Sequence, residues 1–298
     1  MSLREDGARL TAVFWGYRAL ERIAIALPEG FGRRLFSGLG RLAFGVLPGV
    51  RATVAANQAR VLGLTAQTTL TRAATREAFR LYARYWYDTF RIRALSREDL
   101  IRRTRFEGLE NIQAALAAGK GCIATIPHMG NWDVAGAWLA VNGYPIAAVA
   151  EVLKPQRLTE LFVRHREELG MRIVPLAEGT HVGQQLAGLL AENWLVALVA
   201  DRDLAGRGVE VEMFGALRRI PAGPGLLSIT TGAPILVCSS YTTADGWIVR
   251  IGPPLEVART GNTRADVRAL SVALAAEFER AIAAHPPDWH MFQPAWPS

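Results

Sequence analysis

From Gly121 onward the chain alternates short apolar runs with amphipathic stretches, and this alternation limits the possible folds more than any other feature. CIATI, YPIAAVA, MRIVPL and WLVALVA have the length and β-branched content of buried strands. Between them, Trp132 to Val141, about Arg157 to Leu169 and a stretch ending at Asn193 carry helical periodicity. Strands that alternate with helices predict an α/β protein with a central mixed sheet flanked by helices. Val209 to Phe214, PILVCSSY and WIVRI add strands, a helix follows Pro224, and a long helix from about Arg264 to Ala284 closes the chain. The first hundred residues show no strand pattern and read as helices broken at Pro28-Glu29-Gly30, Pro48-Gly49 and Gly63. The expectation is a single domain over 1–298, with a helical part in 1–105 and an α/β core in 106–298.

With 298 residues, half of them hydrophobic, the chain can bury a large core. Its two cysteines, Cys122 and Cys238, lie inside strand-like runs and are expected as buried thiols rather than as a disulfide or metal ligands. The net charge of +7 is uneven: residues 1–105 hold 19 arginines against 8 acids, and the remainder holds 15 basic residues against 19 acids. Such a basic segment suits an anionic partner, although the near-absence of lysine also fits a general compositional bias. Its arginines are interleaved with apolar residues and form no nucleic-acid recognition motif, which favours an anionic membrane surface over nucleic acid. The most apolar candidate span, Leu10 to Leu27, is broken by Arg18, Glu21 and Arg22, short of the roughly 20 apolar residues that cross a bilayer. Val13, Phe14, Tyr17, Leu20, Ala24 and Leu27 recur at helical spacing, and Phe31 to Leu47 repeats the mixture of large apolar residues and arginine. Two consecutive amphipathic helices predict an N-terminal region that contacts the membrane.

Reacting groups in an α/β sheet collect beyond the carboxyl ends of its strands, and His128, Glu151 and Asp201 each follow a strand-like run. In GCIATIPHMGNWDV, Pro127 ends the run, His128 enters the turn, and Asn131 can cap the helix that follows. A histidine there can act as a general base, and Asp133, one helical turn on, can fix its tautomer. In VADRDLAGRGVEVEMFGALRRIPAGPG, Asp201 and Asp203 bracket Arg202 on the same rim. The chain lacks a G-x-S-x-G elbow, a Walker loop, a G-x-G-x-x-G run and an H-E-x-x-H pair, which argues against a covalent serine, a nucleotide loop or a zinc mechanism. Direct attack of a substrate hydroxyl, deprotonated by His128, on an activated acyl carbon remains.

PHMGNWDVAG, AEVLKPQRLTELFVRHREELGM, VADRDLAGRGVEVEMFG and the ending HPPDWHMFQPAW together resemble the bacterial lysophospholipid acyltransferase superfamily, in the branch that holds lipid A and phosphatidylinositol mannoside acyltransferases. The resemblance covers nearly the whole chain and looks most like the mannoside enzymes. It implies transfer of a long acyl chain, palmitoyl, from acyl-CoA as co-substrate to a mannose hydroxyl of a phosphatidylinositol mannoside, peripherally at the cytoplasmic face of the plasma membrane, with no other cofactor and no metal. His128 would be the base. Asp133 is its partner in the H-x-x-x-x-D box, whereas similarity to the mannoside branch points to the acid at position 201, where Glu is usual and this chain has Asp201. Glu151 and Arg166, with Arg164 as a rival, and Arg202 and Asp203 would bind sugar or phosphate. Phe79, Tyr82 and Trp86 are candidates to line an acyl groove. Two other readings remain open from the residues: an acyl-CoA thioesterase that activates water with the same base, and a non-enzymatic lipid-binding module in which His128 and Asp133 only brace a turn.

Overall fold

The helical punctuation of the N-terminal third is obeyed closely in the computed structural model, which describes residues 7–177, 180–203 and 206–296. α1 (Ala8–Ala26) ends before Pro28, α2 (Glu29–Val46) ends before Pro48, and α3 (Pro48–Leu62) starts on that proline and ends at Gly63. Thr68 caps α4 (Thr69–Arg91) by accepting the Thr71 amide hydrogen, and α5 (Arg97–Arg103) follows. α2 lies close against α4 because Gly40 carries no side chain: a Cβ there would sit 2.6 Å from the Phe79 carbonyl oxygen.

Seven strands form the central sheet: β1 (Thr104–Glu107), β2 (Cys122–Ile126), β3 (Ile146–Glu151), β4 (Arg172–Leu176), β5 (Leu195–Val199), β8 (Ile235–Thr242) and β9 (Trp247–Pro254). Their order is β1-β9-β8-β2-β5-β3-β4, parallel except where β9 meets β8, so the sheet is mixed as expected. α6 (Leu109–Ala117), α7 (Trp132–Val141) and α8 (Gln156–Glu168) cover one face, and α9 (Val182–Ala191), α10 (Gly223–Thr231) and α11 (Thr263–Ala284) cover the other. The two-residue period of the strands feeds both cores. Cys122, Ala124 and Ile126 pack toward α6 and α7, and Ile123 packs toward α9. Both thiols are free and buried.

Two parts of the fold differ from the sequence reading. Val209 to Phe214 belongs to a separate hairpin of β6 (Val209–Met213) and β7 (Ala216–Ile220), not to the central sheet, and β7 had no sequence signal of its own. Phe214 and Gly215 form its turn with positive φ at both positions, a geometry that matches strand twist. On α1, the expected apolar face is split. Ala24 is buried and Phe14 and Tyr17 are half-buried, but Val13 and Leu20 face outward and Glu21 is only 2% exposed. Burial of this carboxylate is compensated by Arg18 at 2.6 Å, His165 at 2.9 Å and Arg93 at 3.5 Å.

The polypeptide beyond α11 returns across the carboxyl edge of the sheet. Met129 and Trp289 form an antiparallel bridge, Gly130 donates its amide hydrogen to the Asp288 carbonyl, and His290 donates its own to the His128 carbonyl. Asn57 of α3 anchors this return: its amide nitrogen donates to the Met291 and Gln293 carbonyls at 2.9 Å each, and its oxygen accepts from Ala295. Asn57→Ala removes three bonds and leaves the carbonyl of buried Met291 without its donor. It is expected to lower stability by about 2–4 kcal/mol, read as a shifted midpoint with unchanged slope in urea unfolding.

Candidate active site

Pro127 stops β2 at the sheet edge, so the chain must turn there, and the turn is fixed at three points. Asn131 caps α7 by accepting the Val134 amide hydrogen, and its own amide donates to Ser240 Oγ on β8. Gly130 has φ of 58°, and a Cβ on it would lie 2.1 Å from the Ser240 carbonyl oxygen, so only glycine fits. This turn presents His128 at the wall of a cavity of about 1220 Å³.

His128 Nδ1 lies 2.5 Å from Asp201 Oδ1. The other carboxylate oxygen accepts from Trp289 Nε1 at 2.8 Å, and Arg218 Nη2 donates to the Asp201 backbone carbonyl. Burial works to raise the Asp201 pKa. The His128 ring, the indole N–H and the Arg218 charge outweigh it and hold the carboxyl at about 2. A carboxylate can only accept, so Nδ1 carries the hydrogen and the Nε2 lone pair is left for a proton on the cavity side.

Asp133 does not take this role. It is buried among Arg166 Nε at 2.6 Å, Arg166 Nη2 at 3.3 Å and the Tyr85 hydroxyl at 3.2 Å. Burial alone would lower the Arg166 pKa, and the Asp133 charge and hydrogen bond raise it instead, so the two ions compensate each other inside the wall. The expectation that Asp133 fixes the His128 tautomer is therefore corrected: the structure gives that contact to Asp201, and Asp133 ties α7 to α8 and α4. Arg166 lines the cavity through this ion pair. Arg164 is exposed on α8 and does not line it.

Glu151, Arg202 and Asp203 all lie on the cavity wall, Glu151 exposed at the end of β3 and the other two half-buried after β5. Asp203 accepts the Gly208 amide hydrogen at 2.7 Å, which closes the loop around it; Leu204 and Ala205 of that stretch lie outside the described residues. Among the proposed groove aromatics, Tyr82 and Trp86 line the cavity, and Phe79 packs away from it against Phe44 and Phe292. Sequence reasoning assigned no part to Tyr85, Arg218, Trp289 or His290. His290 lines the cavity and donates Nε2–H to the Gly130 carbonyl, and burial pushes its pKa down to about 4, so it is neutral near pH 7. The clustering of two histidines and an acid in HPPDWH was the available signal.

Beneath α7 the cavity is apolar, and its floor has a physical cause. Ala148, Ala197 and Ala124 are in register on adjacent strands β3, β5 and β2 and share one face, so three methyl groups form a trough across the strands. Ile173 continues the row on β4 and Leu236 on β8, raising its two ends. No grouping of three or more His, Cys, Asp or Glu suited to a metal occurs among the described residues.

The family model for bacterial lipid A biosynthesis acyltransferases matches residues 7–298. The chain is 38% identical over 282 residues to a phosphatidylinositol mannoside acyltransferase of Mycolicibacterium smegmatis, covering 94% of this chain and 90% of that protein. It is 38% identical over 291 residues to a phosphatidylinositol mannoside acyltransferase of Mycobacterium tuberculosis, covering 96% and 89% respectively.

The Asp201 carboxyl is more acidic in the folded protein than the roughly 3.9 of an unfolded chain. Its ionisation therefore contributes stability that is fully present above about pH 4 and is lost as the pH falls through 2. The shift corresponds to about 2–3 kcal/mol. Asp201→Asn should unfold more readily than wild type in urea at pH 6, and the gap between the two should narrow by about that amount as the pH is lowered toward 2.

Proposed function

Because the chain belongs to the bacterial lipid A biosynthesis acyltransferase family, we propose that it moves a palmitoyl group from acyl-CoA to a mannose hydroxyl of a phosphatidylinositol mannoside. The acceptor follows from the relatives named as phosphatidylinositol mannoside acyltransferases. The observation that carries the chemistry is the His128–Asp201 pair at the wall of a cavity whose inner part is apolar.

In this reading the acceptor hydroxyl gives its proton to His128 Nε2 as its oxygen forms a bond to the thioester carbonyl carbon. The imidazolium is stabilised by the Asp201 carboxylate. The tetrahedral intermediate then collapses, the carbon–sulfur bond breaks, and the departing CoA sulfur takes the proton back from His128. No group on the protein is acylated and the base is restored. Positioned base catalysis contributes about 10²- to 10⁴-fold, and orientation supplies more. Glu151, Arg202 and Asp203 are the polar side chains on the wall suited to a sugar or phosphate, and the Asp133–Arg166 pair would set the outline of that part.

The acyl chain lies in the alanine trough, where each buried methylene contributes about 0.8 kcal/mol. The route to it is from a membrane. α1 exposes Trp15, Ile23 and Ile25, and α2 exposes Phe31, Leu42 and Val46, beside several arginines. No described helix is long and apolar enough to cross a bilayer. These helices are therefore assigned to the interface of the cytoplasmic leaflet, with Tyr17 of α1 reaching the cavity wall.

The test is transfer of labelled palmitate from palmitoyl-CoA to phosphatidylinositol mannosides, lysophospholipid and water. Labelling of the mannoside that falls at least about 10²-fold in His128→Ala supports the proposal. Free palmitate as the only product would replace it with a thioesterase, and equal labelling by the variant would remove His128 from the chemistry. Ala197→Leu raises the middle of the trough and should lower palmitoyl transfer by about tenfold relative to decanoyl transfer. An unchanged ratio would take the acyl chain out of the trough.

A further inference from the structure

Among the described residues, two arginines line the cavity, Arg166 and Arg202. The Asp133 carboxylate neutralises Arg166, whereas Arg202 forms no ion pair with any described carboxylate. The Arg202 Nε is buried without an acceptor among the described residues, and its two Nη groups are neither bonded nor buried. They therefore stay accessible on a half-buried residue of the cavity wall. A guanidinium held partly out of water, with unused N–H groups, interacts strongly with any negative charge that enters beside it.

The register of two strands sets Arg202 beside the base. Ile126 pairs with Val199, and the Ala200 amide donates to the Ile126 carbonyl, so the chain leaving β5 keeps pace with the chain leaving β2 and brings Asp201 alongside His128. Arg202 follows directly. Asp201 engages His128 and Trp289, while Arg202 lines the cavity, where its charge offsets part of the rise that burial gives the pKa of the Tyr82 phenol on α4. Base and guanidinium thus share one end of the cavity. The backbone donors that follow the base are already used: the Met129, Gly130 and Asn131 amides bond to the Pro127 carbonyl, the Asp288 carbonyl and Ser240 Oγ.

The surroundings favour a transient charge over a resident phosphate. Glu151 and Asp203 share the wall with Arg202, so a phosphate there would meet two carboxylates beside a single unpaired cation. In acyl transfer a smaller charge arises at this end of the cavity. As the attacking oxygen bonds to the thioester carbon, the π pair of the carbonyl moves onto its oxygen, which becomes an anion. We propose that Arg202 is a catalytic residue whose Nη groups donate to this oxyanion. When the intermediate collapses, the pair returns to the carbonyl, the carbon–sulfur bond breaks, the sulfur takes the proton from His128, and Arg202 is unchanged. This role rests on the acyl transfer read above for the site and narrows the part given there to Arg202. It holds whether the attacking oxygen belongs to a sugar or to water.

Kinetics of the full chain with palmitoyl-CoA and a phosphatidylinositol mannoside test the assignment. Arg202→Gln should lower kcat about 10²-fold with KM for both substrates held within about threefold. Arg202→Lys, which keeps the charge and loses the planar fork, should lower it about tenfold. A hexadecyl thioether of CoA has no carbonyl oxygen, so Arg202→Gln should bind it within about twofold of wild type, which also shows that the variant is folded. Thioether affinity reduced about tenfold, or a raised KM at unchanged kcat, would make Arg202 a ground-state binder and overturn the proposal. Full recovery of the Arg202→Gln kcat at pH 9 would overturn it too, because the effect would then act through the basicity of His128. The ring of Trp132 lies 5.5 Å from that of His128 and also lines the cavity. A kcat loss in Trp132→Phe as large as that in Arg202→Gln would give the oxyanion to the indole N–H instead. If wild type releases palmitate and leaves the mannoside unlabelled, the acceptor assignment falls, and the same comparison of kcat on hydrolysis still decides Arg202. An inactive wild type overturns both.

Discussion

A carboxylate with no solvent exposure must be compensated from within, and in this molecule Asp201 is that carboxylate. The compensation comes from three places far apart in sequence: His128 after β2, Arg218 on β7 and Trp289 beyond α11. Each requires its own piece of architecture. The turn after β2 needs Gly130 against β8, the hairpin carries Arg218 over the end of β5, and the returning tail needs Asn57 of α3. The sheet edge, the hairpin and the helical third are thus joined around one negative charge.

A second ion pair divides the labour. Asp133 and Arg166 bind α7 to α8 on the far wall of the cavity, with Tyr85 of α4 as third partner. Two carboxylates therefore flank His128, one engaged with its ring and one engaged with a guanidinium. If both faced the imidazole they would repel each other in a poorly solvated space.

What could be read from the sequence followed from local rules. Pro and Gly breaks placed the N-terminal helices, apolar runs placed six of the seven sheet strands, all but the short β1, and the strand–turn–helix around His128 was legible because Pro127 and Asn131 are strong local signals. What could not be read depended on distance along the chain. Asp201 stands 73 residues from His128, and no periodicity connects them, so spacing favoured the nearer Asp133 and only the family resemblance pointed to position 201. The alanine trough was invisible because its residues come from three strands and meet only through register. The burial of Glu21 was not legible for the opposite reason: its neighbours follow a clean helical pattern, and only Arg93 beyond α4 and the His165 ring on α8 explain its inward position.

The return of the tail across the sheet edge has a consequence for how the protein is made. Trp289 and His290 are translated about 160 residues after His128, and a nascent chain can pair β2, β3, β4 and β5 long before either emerges. Until then Asp201 lacks its indole partner and the turn at Gly130 lacks the Asp288 carbonyl. A partly synthesised chain can thus own most of its sheet and still lack the contacts that hold Asp201 and the turn carrying His128 in place.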